Sequence, residues 1–515
     1  MNPSTRADAA LPGLAANPAL PPALVDLLIE RADADAADVL AEREDLGRAR
    51  ALALARRGDE VAVRLARDGR LTASDIDPAD RPRAALALLE QGAGTAEWAR
   101  FLAAHPVVEV REALAACPRL PRDVVDALAA DPDVRVVTEL ALWTDGGTAA
   151  RLARHPHAEV RSAAAANART PPDVLAALVT GEGLPPARRC LVCDREATPY
   201  VHGPHCARRH CELRPGAACD GSHQSTVHDT WLRAIGNPAT PAGALVGFAG
   251  HPSVLLRREL AGRTDVPGHV LERLAGDPVP GVRAAVAENP EAGADLLGVL
   301  AGDGDPQVRR AVAFNPVVPL DVLARVAAGT RIGLVLLPRI AAASPDEVEE
   351  LAESPHPAVR ALLAERRDLP EGIRDALAAD ADAKVVKAVA RHPGLSEAAL
   401  RAMVDRYGDQ VAAAVAGNPD APPSLLESLA RREPPVRKAL LEVARHPAAT
   451  PAALLACLAD PRARRAVAAH PALPPRVLVG LLGDGDGEVA EAAAANPALP
   501  PAAMRELVRA LGAGT

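Results

Sequence analysis

Over most of the chain, apolar residues recur at helical spacing in short runs, and a proline soon cuts each run. The run Val282-Arg283-Ala284-Ala285-Val286-Ala287-Glu288-Asn289-Pro290 returns as Val308-Arg309-Arg310-Ala311-Val312-Ala313-Phe314-Asn315-Pro316 and again over 489–497. Taking the residue seven before the Asn, or before its replacement, as an anchor gives Leu256, Val282, Val308, Val359, Val385, Val411, Val436, Ala463 and Val489. The steps are 26, 26, 51, 26, 26, 25, 27 and 26, where 51 spans two units with a degenerate one near Leu334. Val110, Val134 and Val160 continue the series upstream, and Ala10, Ala36, Val61 and Ala85 carry it to the start, for about eighteen units.

Each unit predicts two short helices. The first opens after a turn such as Asp277-Pro278 or His155-Pro156 and stops at Asn-Pro. Proline lacks the N–H that a helix needs and disfavours helical geometry in the residue before it. Asn there is also expected to take the left-handed conformation that closes helices. The second helix begins at prolines such as Pro474-Pro475 or Pro500-Pro501, where a missing N–H costs nothing. Helices this short do not stand alone, so stacked units must share one continuous core.

Composition sharpens this picture. Hydrophobic residues make up 49% of the 515 residues but aromatics only 2%, and 49 prolines exceed 37 glycines. Such a chain suits many small Ala/Leu/Val interfaces better than one large interior. The net charge of −9 lacks the overall footprint of a nucleic-acid binder. The first 22 residues show no secretory signal pattern, and apolar runs such as Ile332 to Leu337 are far too short to span a bilayer. A cytoplasmic location is expected, and clustered cysteines in that compartment point to metal.

The pattern D/H-P-x-x-x-V-R-x-A-V-A-x-N-P-x-L-P-x-x-V-L-x-x-L-A resembles the leucine-rich repeat variant, a relative in spirit of HEAT repeats. The resemblance implies an all-α fold, a right-handed α-solenoid. The period here, nearer 26 than the family's usual two dozen, leads us to expect a fully α second helix. The Val-Arg step repeats at Arg111, Arg135, Arg161, Arg257, Arg283, Arg309, Arg360, Arg437 and Arg464. Two readings are open: a basic stripe for phosphates or acidic peptides, or structural pairs with loop acids such as Asp131, Asp277 or Asp305.

Between anchors Val160 and Thr230 lie 70 residues where one unit needs about 26, so some 44 are inserted. This divides the chain into repeats at 1–182, a Cys/His-rich module at 183–228 and repeats at 229–515. The stretch Cys190–His228 holds five of the seven cysteines and five of the fourteen histidines, spaced C-x2-C-x12-C-x4-C-x7-C. Cys190 and Cys193 form a knuckle that Cys206 and Cys211 complete as a tetrahedral zinc site; this arrangement resembles treble-clef and zinc-ribbon modules. His205 or His210 is an alternative ligand there. The following Cys219-Asp220-Gly221-Ser222-His223 resembles the signature of CDGSH iron–sulfur domains, which adds Cys219 and His223 as candidate ligands. Some leucine-rich repeat variant proteins also carry a four-cysteine domain with a four-iron cluster. Cys117 and Cys457 are expected as core fillers, and the His-Pro histidines 105, 155, 251, 392, 446 and 470 as helix-boundary residues.

No glycine-rich phosphate loop, nucleophile elbow or H-E-x-x-H helix is present in the sequence. The preferred reading is a non-enzymatic scaffold that binds a protein or peptide along its concave face, with a structural zinc. The alternatives are an iron–sulfur sensor and a HEAT-like DNA-binding or DNA-repair protein. Only eight aromatics, with Trp98, Trp143 and Trp231 far apart, leave few platforms for stacking bases.

Overall fold

A computed structural model of the chain describes residues 3–31, 33–185, 187, 190 and 224–511, and the described residues build an all-α array of paired helices. A representative unit pairs Pro280–Glu288 with Ala294–Leu300, and the next pairs Pro306–Phe314 with Leu320–Gly329. In the first helix Val282, Val286 and Ala287 are buried while Glu288 stays outside. First helices pack on first helices of the neighbouring units, as Pro280–Glu288 does on Pro306–Phe314. The second segment is α-helical in most units, as the long period leads one to expect; an exception is Ala242–Leu245, which runs on as a 3₁₀ turn, Val246–Gly250. In the degenerate unit the first helix is reduced to the four residues Pro338–Ala341 after an irregular stretch, while the second, Pro345–Ala352, is intact.

The residue before the proline does not adopt the left-handed conformation. Asn289, Asn315 and Asn496 all have φ near −69° and ψ of 123–128°, which is extended backbone. A following proline favours this geometry, and Asn167, which Ala168 follows, shares it with φ −69° and ψ 118°. The side chain then makes three hydrogen bonds. In Asn289 the Oδ1 accepts from the Glu291 amide at 2.9 Å, while Nδ2 donates to the carbonyls of Ala261 and Arg263 at 2.8 and 2.7 Å. Those carbonyls belong to the end of the preceding unit's first helix, which has no intrahelical donor for them.

Asn315 makes the same pair of bonds to Ala287 and Asn289, and Asn418 to Ala390 and His392. The result is a ladder of buried rungs that staples these units each to the one before. Larger donors replace Asn at some rungs. Arg263 reaches the carbonyls of Ile235 and Asn237, and His392 donates from Nε2 to Ala364 at 2.6 Å. The ladder also crosses the insertion without a break, because Asn237 donates to Ala165 and Asn167 at 2.9 Å each. Register is therefore kept across the inserted residues, as counting predicts.

One anchor needs correction. The rung that follows Asn418 is His446, whose Nε2 donates to the Asn418 carbonyl, and it lies ten residues after Val436 rather than seven. Extra residues in the Arg431–Pro435 turn displace the count, so Arg437 opens its helix, Arg437–Arg445, instead of lying one turn inside it.

The described array falls into two compact units, 66–326 and a second made of 1–65 together with 327–515. Within the second, the N-terminal helix Pro3–Ala16 packs on Gly487–Ala495. Asn17 donates to the carbonyls of Ala494 and Asn496, both at 2.8 Å. These are the two carbonyls that a unit following Asn496 would use, so the first unit occupies the next position of the ladder. Arg43 continues it onto the carbonyls of Ala15 and Asn17.

The N-terminal helix comes so close that a Cβ on Gly13 would collide with the backbone carbonyl of Glu491. Gly13→Val is expected to loosen this docking, read as faster amide hydrogen exchange across 487–496 and a lower melting temperature. Gly298→Ala, in a helix where a Cβ meets nothing within 4 Å, is the control and is expected to stabilise by up to about 1 kcal/mol. Unchanged exchange in Gly13→Val would remove the docking from the account.

Candidate functional site

The recurring arginines point inward to acids. Arg111, Arg257, Arg283, Arg360 and Arg464 pair with Asp131, Asp277, Asp303, Asp380 and Asp484, each twenty residues downstream at the end of the unit's second helix. The pairs are mostly two-pronged and largely buried; Arg257 Nε and Nη2 reach Asp277 at 2.6 and 3.1 Å. Its Nη1 donates to the carbonyl of His251, which fixes the turn that opens the helix. The partner of Arg283 is Asp303; Asp305 instead caps the next helix through the Gln307 amide. Arg135 pairs with Asp133 and Glu109, and the displaced Arg437 is 3.7 Å from Asp460. The structural reading of the Val-Arg step is the one these contacts support.

The six His-Pro histidines divide into two sets. His105, His155 and His251 follow second helices, and their Nδ1 atoms accept the amide of the residue two further on. His392, His446 and His470 follow first helices and are ladder rungs, donating from Nε2 to Ala364, Asn418 and His446. A carbonyl can only accept, so these three carry their proton on Nε2. Their rung role escapes sequence reading, although alternation with Asn at the same place in the unit is its signal.

Cys117 and Cys457 are buried, as expected of core fillers, and burial pushes their thiols up to about 12 and about 11. Cys117 occupies a rung position, where its thiol lies 3.6 Å from the Ala113 carbonyl. Of the proposed metal ligands only Cys190 is among the described residues, and it is fully buried. Cys193, Cys206, Cys211, Cys219 and His223, with the alternatives His205 and His210, lie outside the described residues. Among the described residues no group of three or more His, Cys, Asp or Glu side chains is placed to hold a metal ion.

The foot of the insertion has its own chemistry. The chain leaves from the helix Pro172–Thr180 and returns in Gln224–Gly236, which packs on the first helix Ala158–Ala166. Trp231 in the returning helix donates to the Val179 carbonyl at 3.1 Å and sits edge-on to Phe248 and His251, with centroids 5.5 Å away. Between these helices lies a cavity of about 310 Å³, bordered by Arg161, Leu178, Leu184, Thr226 and Trp231. Arg161 is the Val-Arg arginine of this unit, but the place twenty residues on is Gly181, not aspartate. Its guanidinium donates to the carbonyls of His155 and Pro185, both at 2.6 Å, and reaches that of Arg154 at 3.5 Å. No carboxylate among the described residues bonds it, and burial alone lowers its pKa. Sequence reading placed Arg161 in the series without marking this difference; the missing aspartate is the signal.

No protein-family model matches the chain, and no curated protein matches it either. Solved structures similar to it include a leucine-rich repeat variant with a novel repetitive motif, 21% identical over 53% of this chain and 87% of that one, with a TM-score of 0.28. An engineered protein is 16% identical over 95% of this chain and 98% of its own, with a TM-score of 0.15. The Pds5–Scc1 complex is 13% identical over 92% of this chain and 66% of that one, with a TM-score of 0.17. At these values the likenesses carry no information about what the chain does. No helix of the described residues is long and apolar enough to cross a membrane.

The arginine pairs make stability depend on pH. Burial pushes the Asp277 carboxyl up, but bonds from Arg257 and the Val279 amide outweigh it and hold the group below its ordinary value of 3.8. A carboxyl depressed in the folded state contributes stability above its ordinary value and loses it as pH falls through the folded value. Unfolding free energy is therefore expected to decline from about pH 4 downward, with Arg257→Gln flattening that decline and lowering stability at pH 7. Urea titrations of both proteins between pH 7 and 2 check this; equal slopes would count against it.

Proposed function

We propose that the chain is a non-enzymatic repeat scaffold that holds a protein or peptide along the concave side of its units, with a structural zinc module planted between two of them. The observation that supports this reading is how the repeated polar residues are used. The Asn, His and Arg rungs bind helix-end carbonyls, and most Val-Arg arginines bind aspartates of their own unit. The chemistry that recurs along the chain is engaged in holding its shape.

The side chains that vary between units lie on exposed helix faces. Nine residues after the rung, in the second helix, Leu455 and Val479 are exposed in one pair of units, while Glu272 and Asp375 stand at the same place in others. A constant frame with a variable mixed surface suits recognition of a protein more than transformation of a small substrate.

For the insertion the reading assigns Cys190, Cys193, Cys206 and Cys211 as zinc ligands, with Cys219 and His223 outside that set. A closed four-thiolate zinc would supply cross-linking to a segment too short for a core of its own. Metal analysis of anaerobically purified protein is expected to find about one zinc per chain in colourless protein, lost in the Cys190→Ser/Cys193→Ser variant. Brown, iron-containing protein would replace the scaffold reading with that of an iron–sulfur sensor.

The partner side is tested by affinity capture followed by mapping on a purified complex. Leu455→Asp with Val479→Asp is expected to weaken binding of a partner whose footprint covers those helices, without changing the melting temperature. Retention of duplex DNA at low salt, with no protein partner recovered, would sink the scaffold reading.

A further inference from the structure

The cavity at the foot of the insertion holds a nine-tenths-buried guanidinium whose bonds among the described residues all go to neutral carbonyls. We propose that this cavity is a binding site for a small organic carboxylate, with Arg161 as its anchor.

The sister units show what an arginine at this place in the repeat holds. In Arg257 the Nη1 donates to the carbonyl six residues back, while Nε and Nη2 grip the two oxygens of one carboxylate. Arg283 and Arg360 repeat that arrangement on Asp303 and Asp380. Arg161 also bonds the carbonyl six residues back, His155, but from Nε, with Nη1 on the Pro185 carbonyl, so its remaining N–H groups are on Nη1 and Nη2, and the chain offers glycine where the aspartate stands. A guanidinium has five N–H donors, so donors remain beyond the three contacts it makes with described residues, the longest at 3.5 Å. Burying a cation without a counter-charge is costly, and a planar carboxylate is the anion that matches its fork.

The surroundings narrow the ligand. One positive charge suits a monoanion better than a phosphate dianion. Leu178, Leu184 and the Trp231 ring give the cavity apolar walls, and the Trp231 N–H is already bonded to Val179. At about 310 Å³ the space lies at the small end of ligand pockets. A short aliphatic or single-ring acid fits this description.

The test uses the full-length protein with benzoate and butanoate as probes, at matched ionic strength, followed by thermal melting and calorimetry. Saturable binding of one probe with a rise in melting temperature is expected, and Arg161→Gln is expected to bind it at least about tenfold more weakly. Gly181→Asp, which returns a carboxylate to the place it holds in the sister units, is expected to abolish probe binding and raise the melting temperature. Gly181 has φ +77°, a region Asp tolerates better than most residues, and its Cβ would meet nothing within 4 Å. This variant decides the matter if Arg161→Gln fails to fold. Equal binding by Arg161→Gln and wild type overturns the proposal. So does a wild type silent to both probes while Arg161→Gln melts lower, since the counter-ion is then a carboxylate of the chain itself.

Discussion

The side-chain amide of the residue before each Asn-Pro proline is what the rest of the array depends on. A helix of nine residues such as Pro280–Glu288 leaves a large share of its carbonyls without intrahelical donors, and stacking buries several of them. Buried polar groups left unpaired cost about 1–3 kcal/mol each, so a solenoid of very short helices needs a donor at every joint. Asn supplies two N–H groups from one planar head and accepts an amide of its own turn with the oxygen. That one residue ends a helix, shapes the following turn and fixes the distance to the previous unit. His and Arg do the same job where they replace it, at Nε2 in His392 and through the fork of Arg263.

Much of this was legible before any coordinates. A period of about 26, the stop at Asn-Pro, the length of the insertion and the return of register at Thr230 all follow from counting, because each unit meets the same steric rules. The rungs themselves were not legible, since their acceptors lie 26 and 28 residues upstream and only stacking brings them near. For the same reason Asn was assigned a left-handed conformation suited to an isolated helix end. A proline follows and two carbonyls wait across the joint, so the extended form prevails. Docking of the first unit onto Asn496 depends on Gly13, whose missing Cβ looks ordinary in sequence.

The candidate site divides in the same way. The concentration of cysteines between Cys190 and Cys219 marks metal chemistry by composition alone, and the zinc reading rests there. The cavity beside it rests on a comparison between units. Arg161 belongs to a series in which five of nine members hold an aspartate twenty residues on, and its own position, like those of Arg135, Arg309 and Arg437, lacks one. Departure from a repeated rule is a sharper functional signal in such a chain than any single motif, because the repeats supply the expectation against which it stands out.

The central claim is that the rungs hold unit to unit, and Asn315 tests it most directly, being fully buried in the 66–326 unit and donating from Nδ2 to the carbonyls of Ala287 and Asn289. Urea unfolding of Asn315→Ala beside wild type measures its contribution. The Ala287 carbonyl is left orphaned while that of Asn289 keeps its bond from the Ala292 amide, which predicts a loss of about 1–3 kcal/mol, with amide exchange accelerated in the helices Pro280–Glu288 and Pro306–Phe314. A loss within about 0.5 kcal/mol, the range of ordinary surface substitutions, would contradict the account.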